Sequence, residues 1–281
     1  MSPPGWKRLW WHSYALGIPW LVREARRRWP ARRVGFTRLL VPLDPWRYYE
    51  LGRVADEAFS GRCLDVSSPK LLPSLLQSEG KGQWTCVDLY DEEIAAWRSI
   101  DPRLDLRVED ATELSFADDT FDHCICISVL EHIGAGKDST ALGEVWRVLA
   151  PGGTLHLTAD VASTPRDVYA DRKVYGRASP TVEGGKVFFK HDFSPPEIER
   201  LIADRPWRVR HLEYARQRNP GIERWFYDHA PWSYVTGPFL RLVCPGNVET
   251  APSSAIVDRS GHGVVYVQLQ KAPVEPSAES S

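Results

Sequence analysis

Three aspartates, Asp65, Asp88 and Asp110, each follow a short apolar segment of the chain. Asp88 follows Asp65 at about the 20-residue spacing expected of an acid that binds a ribose. A carboxylate there can accept hydrogen bonds from both ribose hydroxyls, and Asp110, followed by Ala111, can accept one from an adenine amino group. The pattern predicts a nucleoside site. The alternative at each position is an aspartate that caps a helix, closes a turn or faces solvent.

A histidine, His132, follows the apolar segment 121–128. An unperturbed imidazole titrates near neutral pH, so His132 is the candidate general base for removing a proton from an acceptor. The alternative is a structural histidine that packs or hydrogen-bonds after the segment. Asp160 and the adjacent His191 and Asp192 are weaker candidates for the acceptor side of the site.

Apolar segments alternate with helix-like segments from residue 61 to residue 160. Alternation with helices of about ten residues indicates βαβ units, and segments that are apolar on both faces indicate a sheet covered by helices on both sides. The predicted fold class is therefore α/β, a Rossmann-like doubly wound sheet, in which ligands bind at the carboxyl ends of the strands. The predicted strands are 63–66, 84–88, 104–108, 121–128 and 154–159, and the predicted helices are 46–59, 69–78, 91–100, 140–149 and 194–203. Asp91 and Ser194 are the predicted N-caps of two of these helices.

An amino-terminal extension, residues 1–45, precedes the alternating region. It is rich in tryptophan and strongly basic, with Glu24 as its only acid among the first 35 residues. A basic helix with tryptophans can lie on an anionic membrane, and residues 6–29 are the candidate for such a peripheral contact. The alternatives are docking on the parent domain or on a partner subunit.

The main domain is predicted to span residues 46–271. Its regular alternation is interrupted by insertions at about 161–193 and 216–260, the second of which is rich in aromatic residues. Residues 272–281 have the proline, glutamate and serine content of a disordered tail.

Composition limits the class of protein. The 281 residues carry a formal net charge of −2 at pH 7, so no general basic field indicates nucleic acid as a partner. The five cysteines form no C-x-x-C motif and mostly lie in apolar segments. This pattern predicts a protein of a reducing compartment that has neither disulfides nor a metal site. No apolar run reaches the ~18 residues of a membrane span, and the amino terminus lacks a signal-peptide pattern. A cytoplasmic protein is expected.

The most specific sequence patterns are DDTFDHCICISVLEHI, which begins at Asp118, and EVWRVLAPGGTLHLT, which begins at Glu144. Together with residues 63–67, 85–88 and 109–114, they resemble the class I S-adenosylmethionine-dependent methyltransferases, in particular the broad small-molecule group.

The resemblance covers roughly residues 46–160 and extends weakly to the last two predicted strands. It implies a sheet of seven strands with an antiparallel last strand, and residues 207–214 and 263–270 would supply strands six and seven. The implied activity is methyl transfer from S-adenosylmethionine to a small or medium acceptor. Candidate acceptors are a sugar or a lipid-linked intermediate, and the basic, tryptophan-rich amino terminus is the reason to include an acceptor at a membrane.

Site residues follow from the resemblance position by position. The cofactor loop after strand one falls on residues 65–69, the ribose acid on Asp88, and the adenine-contacting acid on Asp110. His132 would face the reaction centre. The residues implied to contact S-adenosylmethionine are Asp65, Ser67, Ser68, Asp88, Leu89, Asp110, Ala111, Ser128 and Val129.

The loop after strand one departs from the family pattern. The family usually has D-x-G-x-G-x-G there, but Ser67, Pro69 and Leu71 stand at the glycine positions. Two other classes of protein therefore remain open. One is a non-catalytic Rossmann-like binding protein that has lost the cofactor. The other is an NAD-dependent oxidoreductase, although the G-x-G-x-x-G motif that it requires is absent.

Overall fold

The structure, a computed structural model, describes residues 4–24, 43–134, 136–170, 182–183, 186–230, 232–259 and 261–272. The predicted tail beyond Ala272 lies outside these residues, as do parts of the predicted extension and of the first insertion. The helices are α1 (Gly5–Glu24), α2 (Arg47–Ala55), α3 (Leu71–Ser78), α4 (Asp91–Ile100), α5 (Asp138–Val148), α6 (Pro195–Ala203), α7 (Gly221–Asp228), α8 (Gly237–Asn247) and α9 (Ala255–Asp258). Short 3₁₀ turns span Leu130–His132 and Trp232–Thr236.

Two sheets are built from the strands. The strands are β1 (Arg62–Val66), β2 (Gln83–Asp88), β3 (Asp105–Val108), β4 (Phe121–Ile127), β5 (Leu149–Ala162), β6 (Arg166–Ala170), β7 (Val182–Glu183), β8 (Lys186–Asp192), β9 (Trp207–Gln217), β10 (Val248–Ala251) and β11 (His262–Lys271). Eight of them form the main sheet in the order β3-β2-β1-β4-β5-β11-β9-β10.

The main sheet is parallel on one side and antiparallel on the other. Strands β1 to β5 run parallel to one another, whereas β11 lies antiparallel between β5 and β9. This arrangement confirms the predicted Rossmann-like fold with an antiparallel last strand. The predicted count of seven strands was wrong, because β10 adds a four-residue strand at the edge beside β9.

Helices cover both faces of the main sheet. Alternate residues of a strand face opposite sides of the sheet, so the two faces of β4 pack against different helices. In β4, Cys124 and Cys126 belong to the apolar cluster that contains residues of α5 and α6. Ile125 and Ile127 belong to the cluster that contains residues of α1 to α4, α7 and α8. All five cysteines are buried and free.

Helix starts follow capping chemistry in one case and not in another. Ser194 caps α6 with a reciprocal pair of bonds to Glu197, and Pro195 is the first helical residue, as predicted. The predicted N-cap role of Asp91 was wrong, since Tyr90 occupies the cap and Asp91 lies in the first turn. Its charge is still favourable there, near the positive end of the helix dipole.

The described part of the amino-terminal extension is helix α1, which packs on the main domain. Leu9, Trp10 and Trp20 are buried against α2, α3 and α4. The indole N–H of Trp20 donates a hydrogen bond of 3.0 Å to Ser99 Oγ. None of the described helices is long and apolar enough to cross a membrane.

A small antiparallel sheet, β6-β8-β7, extends from the end of β5. Two backbone bonds fix it there: the N–H of Phe193 donates to the carbonyl of Asp160 at 3.1 Å, and the N–H of Ala162 donates to that of Phe193 at 2.8 Å. This sheet places Lys190 beside the end of β5, where the ligand site of the fold is expected.

Candidate active site

The loop after β1 ties the ends of three strands together. The N–H of Ser67 donates to the carbonyl of Val87 at 3.0 Å, and the N–H of Ile127 donates to Ser68 Oγ at 2.8 Å. Ser67 has a φ of 53°, the left-handed conformation that glycine adopts most easily. Ser67 thus adopts a left-handed backbone conformation at a position where the family pattern has glycine.

A lysine inside this loop, Lys70, neutralises two of the predicted acids. Its ammonium lies 2.8 Å from Asp65 Oδ2 and 3.4 Å from Asp88 Oδ2. It also donates to the carbonyls of Ser68 and Val87, each at 3.0 Å. The side chain of Lys70 is only 1% exposed, so the ion pairs are shielded from water. One sequence signal pointed to it: Lys70 is the only charged residue between Asp65 and Glu79.

The charges of this cluster depend on one another. Burial alone lowers the pKa of Lys70, but the carboxylates of Asp65 and Asp88 outweigh burial and raise that pKa. Burial raises the pKa of Asp65 and of Asp88 more than Lys70 lowers it. Lys70 is therefore firmly cationic at neutral pH, and the two acids depend on it to stay ionised.

Asp65 and Ser68 are turned into the protein rather than towards a ligand. Asp65 is fully buried against Lys70, and it accepts the N–H of Ser68 at 3.1 Å. The hydroxyl of Ser68 is used by Ile127. Both side chains therefore hold the loop in place, and direct contact with a cofactor remains a prediction for them.

The predicted nucleoside contacts lie at the ends of β2 and β3. Asp88 Oδ1 accepts the N–H of Tyr90 at 3.1 Å, and the N–H of Glu109 donates to the carbonyl of Asp88 at 3.0 Å. Leu89 and Asp110 are exposed beside them, while Ala111 is nearly buried. Asp110 closes its own turn by accepting the N–H of Thr112 at 2.9 Å. The structure thus brings Asp88, Leu89, Asp110 and Ala111 to one end of the sheet.

The end of β4 receives a buried acid from outside the alternating region. Ser128, with a φ of 51°, donates its hydroxyl to Glu50 Oε1 at 2.5 Å. Thr158 Oγ1 on β5 donates to the same oxygen at 2.8 Å, and Arg47 donates to Glu50 Oε2 at 2.9 Å. Glu50 was missed in the sequence because α2 precedes the recognisable motifs, and the one signal was that Glu50 is the sole acid among the nine residues of α2.

Glu131 is a buried acid whose carboxylate oxygens accept no hydrogen bond from any described side chain or backbone group of another residue. Burial, followed by the charge of Asp160, raises its pKa well above the usual value. Buried carboxylates without a partner are costly, so such a group in a site favours a cationic or hydrogen-bond-donating ligand.

The imidazole of His132 lies beside the small sheet. Its Nδ1 is 2.8 Å from the carbonyl oxygen of Phe189. Because a carbonyl only accepts, the neutral ring carries its proton on Nδ1 and its lone pair on Nε2. Burial lowers the pKa of His132 below its ordinary value. The ring is therefore neutral at pH 7, the form that a general base requires.

The residues predicted as weaker candidates for the acceptor side, Asp160, His191 and Asp192, lie on β5 and β8. Asp160 Oδ2 and Asp192 Oδ1 lie 2.5 and 2.8 Å from Lys190 Nζ. Glu223 of α7 is a further acid here: burial and the charge of Asp160 raise its pKa to about 7. His191 is directed elsewhere, since its ring bonds to Asp167 at 2.7 Å. No group of three or more possible metal ligands occurs among the residues that the structure describes.

Comparison with known families identifies the centre of this site. Residues 64–157 match the family model described as a methyltransferase domain, which spans about a third of the chain. The match contains the loop after β1, Asp88, Asp110 and the β4 segment that ends at His132. This match to a methyltransferase domain is consistent with the methyltransferase resemblance of the sequence.

Comparison with solved structures gives distant similarities. An S-adenosylmethionine-dependent methyltransferase from Methanosarcina mazei shares 16% identity over 77% of this chain and 94% of its own, with a TM-score of 0.49. An S-adenosylmethionine-dependent methyltransferase from Mesorhizobium loti shares 16% identity over 80% of this chain and 97% of its own, with a TM-score of 0.48. The curated proteins gave no match.

Proposed function

We propose that the protein transfers a methyl group from S-adenosylmethionine to a small or medium acceptor, such as a sugar or a lipid-linked intermediate. The observation that carries the proposal is the position of Asp88: within the matched methyltransferase domain, it lies at the end of β2 beside the left-handed Ser67 loop. That is where the fold binds the ribose of a nucleoside cofactor.

The residues present fit this cofactor. Each carboxylate oxygen of Asp88 accepts one bond or ion pair and keeps a lone pair for a ribose hydroxyl. Leu89, Asp110 and Ala111 would border the adenine, and Ser67, Ser128 and Val129 the methionine end. The carboxylate of Glu131, which no described group of another residue satisfies, suits the ammonium group of the methionine end.

The reaction asks little covalent chemistry of the protein. When bound, S-adenosylmethionine supplies a methyl group already activated by the sulfonium. The chain must align the acceptor and, for a hydroxyl acceptor, take up its proton. His132 has the neutral ring for that task, and Glu223 is the second candidate because its pKa lies near 7. Lys190 can bind a negatively charged or hydroxyl group of the acceptor.

Calorimetry with S-adenosylmethionine, S-adenosylhomocysteine and NAD tests the proposal. We expect the first two to bind and NAD not to bind. Asp88→Asn should weaken binding by about 10- to 100-fold, because hydrogen bonds to a charged group contribute about 1.5–3 kcal/mol. The matched control is Asp105→Asn on β3, whose carboxylate pairs with Arg107 away from the site and should leave binding unchanged.

A non-catalytic binding protein is the second candidate, and the position of Lys70 favours it. An ammonium that already neutralises Asp88 competes with ribose hydroxyls for that carboxylate. Failure of all three ligands to bind would favour this candidate over methyl transfer. Tight binding that Asp88→Asn leaves unchanged would refute the ribose assignment alone.

A further inference from the structure

Helix α1 is apolar on the side that faces solvent as well as on the side that packs. Leu9 and Trp20 are buried against the domain. Trp11, Ile18 and Val22, which share the opposite face at helical spacing, are 55 to 71% exposed. Packing on the domain therefore explains one face of the helix and leaves the other without a function.

A second exposed apolar stripe lies in the aromatic insertion. Trp232, Val235, Phe239 and Leu242 follow one another at spacings of three or four residues through the 3₁₀ turn and α8. They are 62 to 81% exposed. Single exposed apolar residues are common on soluble proteins, but a continuous stripe of large ones marks an interaction surface.

The two stripes are adjacent on the molecule. The guanidinium of Arg241 on α8 lies 4.6 Å from the ring centre of Trp10 on α1. Trp10 in turn contacts Trp11 edge to face, with 4.9 Å between ring centres. A cavity of about 470 Å³ opens on the same side between α7 and α8, lined by Trp225, Phe239 and other mostly apolar residues. We name the combined surface, formed by α1 and residues 232–247, the apolar face.

The charge of the apolar face indicates its partner. The sequence of α1 and residues 232–247 contains one acid, Glu24 at the end of α1, and its basic residues are Lys7, Arg8, Arg23 and Arg241. Arg8 is neutralised by Asp56 and Glu79, so Lys7, Arg23 and Arg241 against the single acid Glu24 leave the face with a net positive charge. A second copy docked symmetrically would bring these like charges together. An anionic bilayer complements both the aromatic and the basic residues.

We propose that the apolar face docks the protein on membranes that contain anionic lipids. The exposed tryptophans and Phe239 would lie at the headgroup level, with the basic side chains on the lipid phosphates. The proposal does not depend on methyl transfer, since the acids and His132 of the candidate active site lie outside the face. It widens the contact predicted for residues 6–29, because half of the face comes from the second insertion.

Co-sedimentation of the full chain with vesicles tests the proposal. We expect binding to phosphatidylglycerol–phosphatidylcholine vesicles that weakens as salt rises, and little binding to pure phosphatidylcholine. Trp232→Ser combined with Phe239→Ser should weaken binding by on the order of 10-fold or more, since burial of each side chain accounts for about that much. Val209→Ser, an equally apolar exposed position on β9, is the matched control and should bind as the wild type does.

A charge variant separates attraction to anionic lipid from apolar insertion. Lys7→Gln with Arg241→Gln should reduce the preference for phosphatidylglycerol, whereas Arg210→Gln on the exposed surface of β9 should not. Absence of wild-type binding to anionic vesicles would overturn the proposal. So would a wild-type dimer in light scattering that Trp232→Ser with Phe239→Ser converts to monomer, because the face would then belong to a second copy.

Discussion

Replacement of Lys70 by methionine would remove the cation that pairs with both Asp65 and Asp88. Methionine has nearly the length and the apolar stem of lysine, so the change deletes the charge with little loss of packing. In the wild type the ammonium contacts Asp65 at 2.8 Å and Asp88 at 3.4 Å. No other cation among the described residues pairs with either acid, so both would be left in the protein interior without their positive partner.

The expected cost follows from burial. Lys70 is 1% exposed and the Asp65 side chain is 0% exposed, so solvent cannot screen the broken pair. Removal of one partner of a buried ion pair costs about 3–5 kcal/mol, whereas an exposed pair contributes at most about 1 kcal/mol. We expect Lys70→Met to lower the free energy of unfolding by about 3–5 kcal/mol at pH 7, a large part of the stability of a typical domain.

The loss should depend on pH in a defined direction. Burial raises the pKa of Asp65 above that of an unfolded aspartate, about 3.9, and loss of Lys70 would raise it further. A carboxyl group with a raised native pKa binds protons more readily in the native state, so the native state gains stability as pH falls through that pKa. The deficit of the variant should therefore be largest at pH 7 and smaller at pH 5.

Urea unfolding followed by circular dichroism at the two pH values measures these differences. Asp65→Asn combined with Lys70→Met is the control, because it removes the stranded charge and should recover part of the stability, or of the folded protein if Lys70→Met alone does not fold. A loss below about 1 kcal/mol, independent of pH, would refute the reasoning, since that is the behaviour of an exposed pair.

Three further predictions concern single residues. If His132 is the base, the methyl-transfer rate should be constant above pH 7 and fall only below about pH 6.5, because burial lowers the pKa of His132. A rate that is half-maximal near pH 7 would instead assign the role of base to Glu223, whose pKa is about 7. Glu50→Ala should lower the free energy of unfolding by about 2–4 kcal/mol, since Arg47 loses its nearer partner and keeps only Asp44 at 3.9 Å, and two hydroxyls lose their acceptor. Glu50→Gln should cost less, and equal losses in urea unfolding would contradict the role of the charge. Ser67→Val should lower the free energy of unfolding by about 1–2 kcal/mol because position 67 has a left-handed φ, whereas Ser67→Gly should keep it within about 1 kcal/mol of the wild type. Thermal unfolding in which the valine variant is more stable than the glycine variant would refute this.

Sequence alone predicted the parts of the fold that local chemistry determines. The start of α6 follows from Ser194 and Pro195, and both bonds of its capping box are present. The parallel strands followed from apolar segments of β1, β2 and β4, whose residues are buried on both faces. Periodicity and capping are properties of neighbouring residues, so they can be read without the tertiary structure.

The features that the sequence did not predict depend on contacts between residues that are distant along the chain. Lys70 pairs with Asp88, 18 residues away, and Glu50 binds Ser128, 78 residues away. No local pattern specifies these partners. Strand β10 has only four residues and follows α8 directly, so it lacks the length over which alternation is recognisable.

The position of Glu50 has a consequence for modularity. The family match covers residues 64–157, yet Ser128 inside it and Thr158 directly after it donate their hydroxyls to Glu50, on a helix that precedes the match. Strand β11 lies downstream of the match and is the antiparallel neighbour of β5. A fragment restricted to the matched residues 64–157 would lose both contacts, so we do not expect it to fold by itself. A chimaeric protein that carries this site would therefore also have to contain α2 and the carboxy-terminal strands.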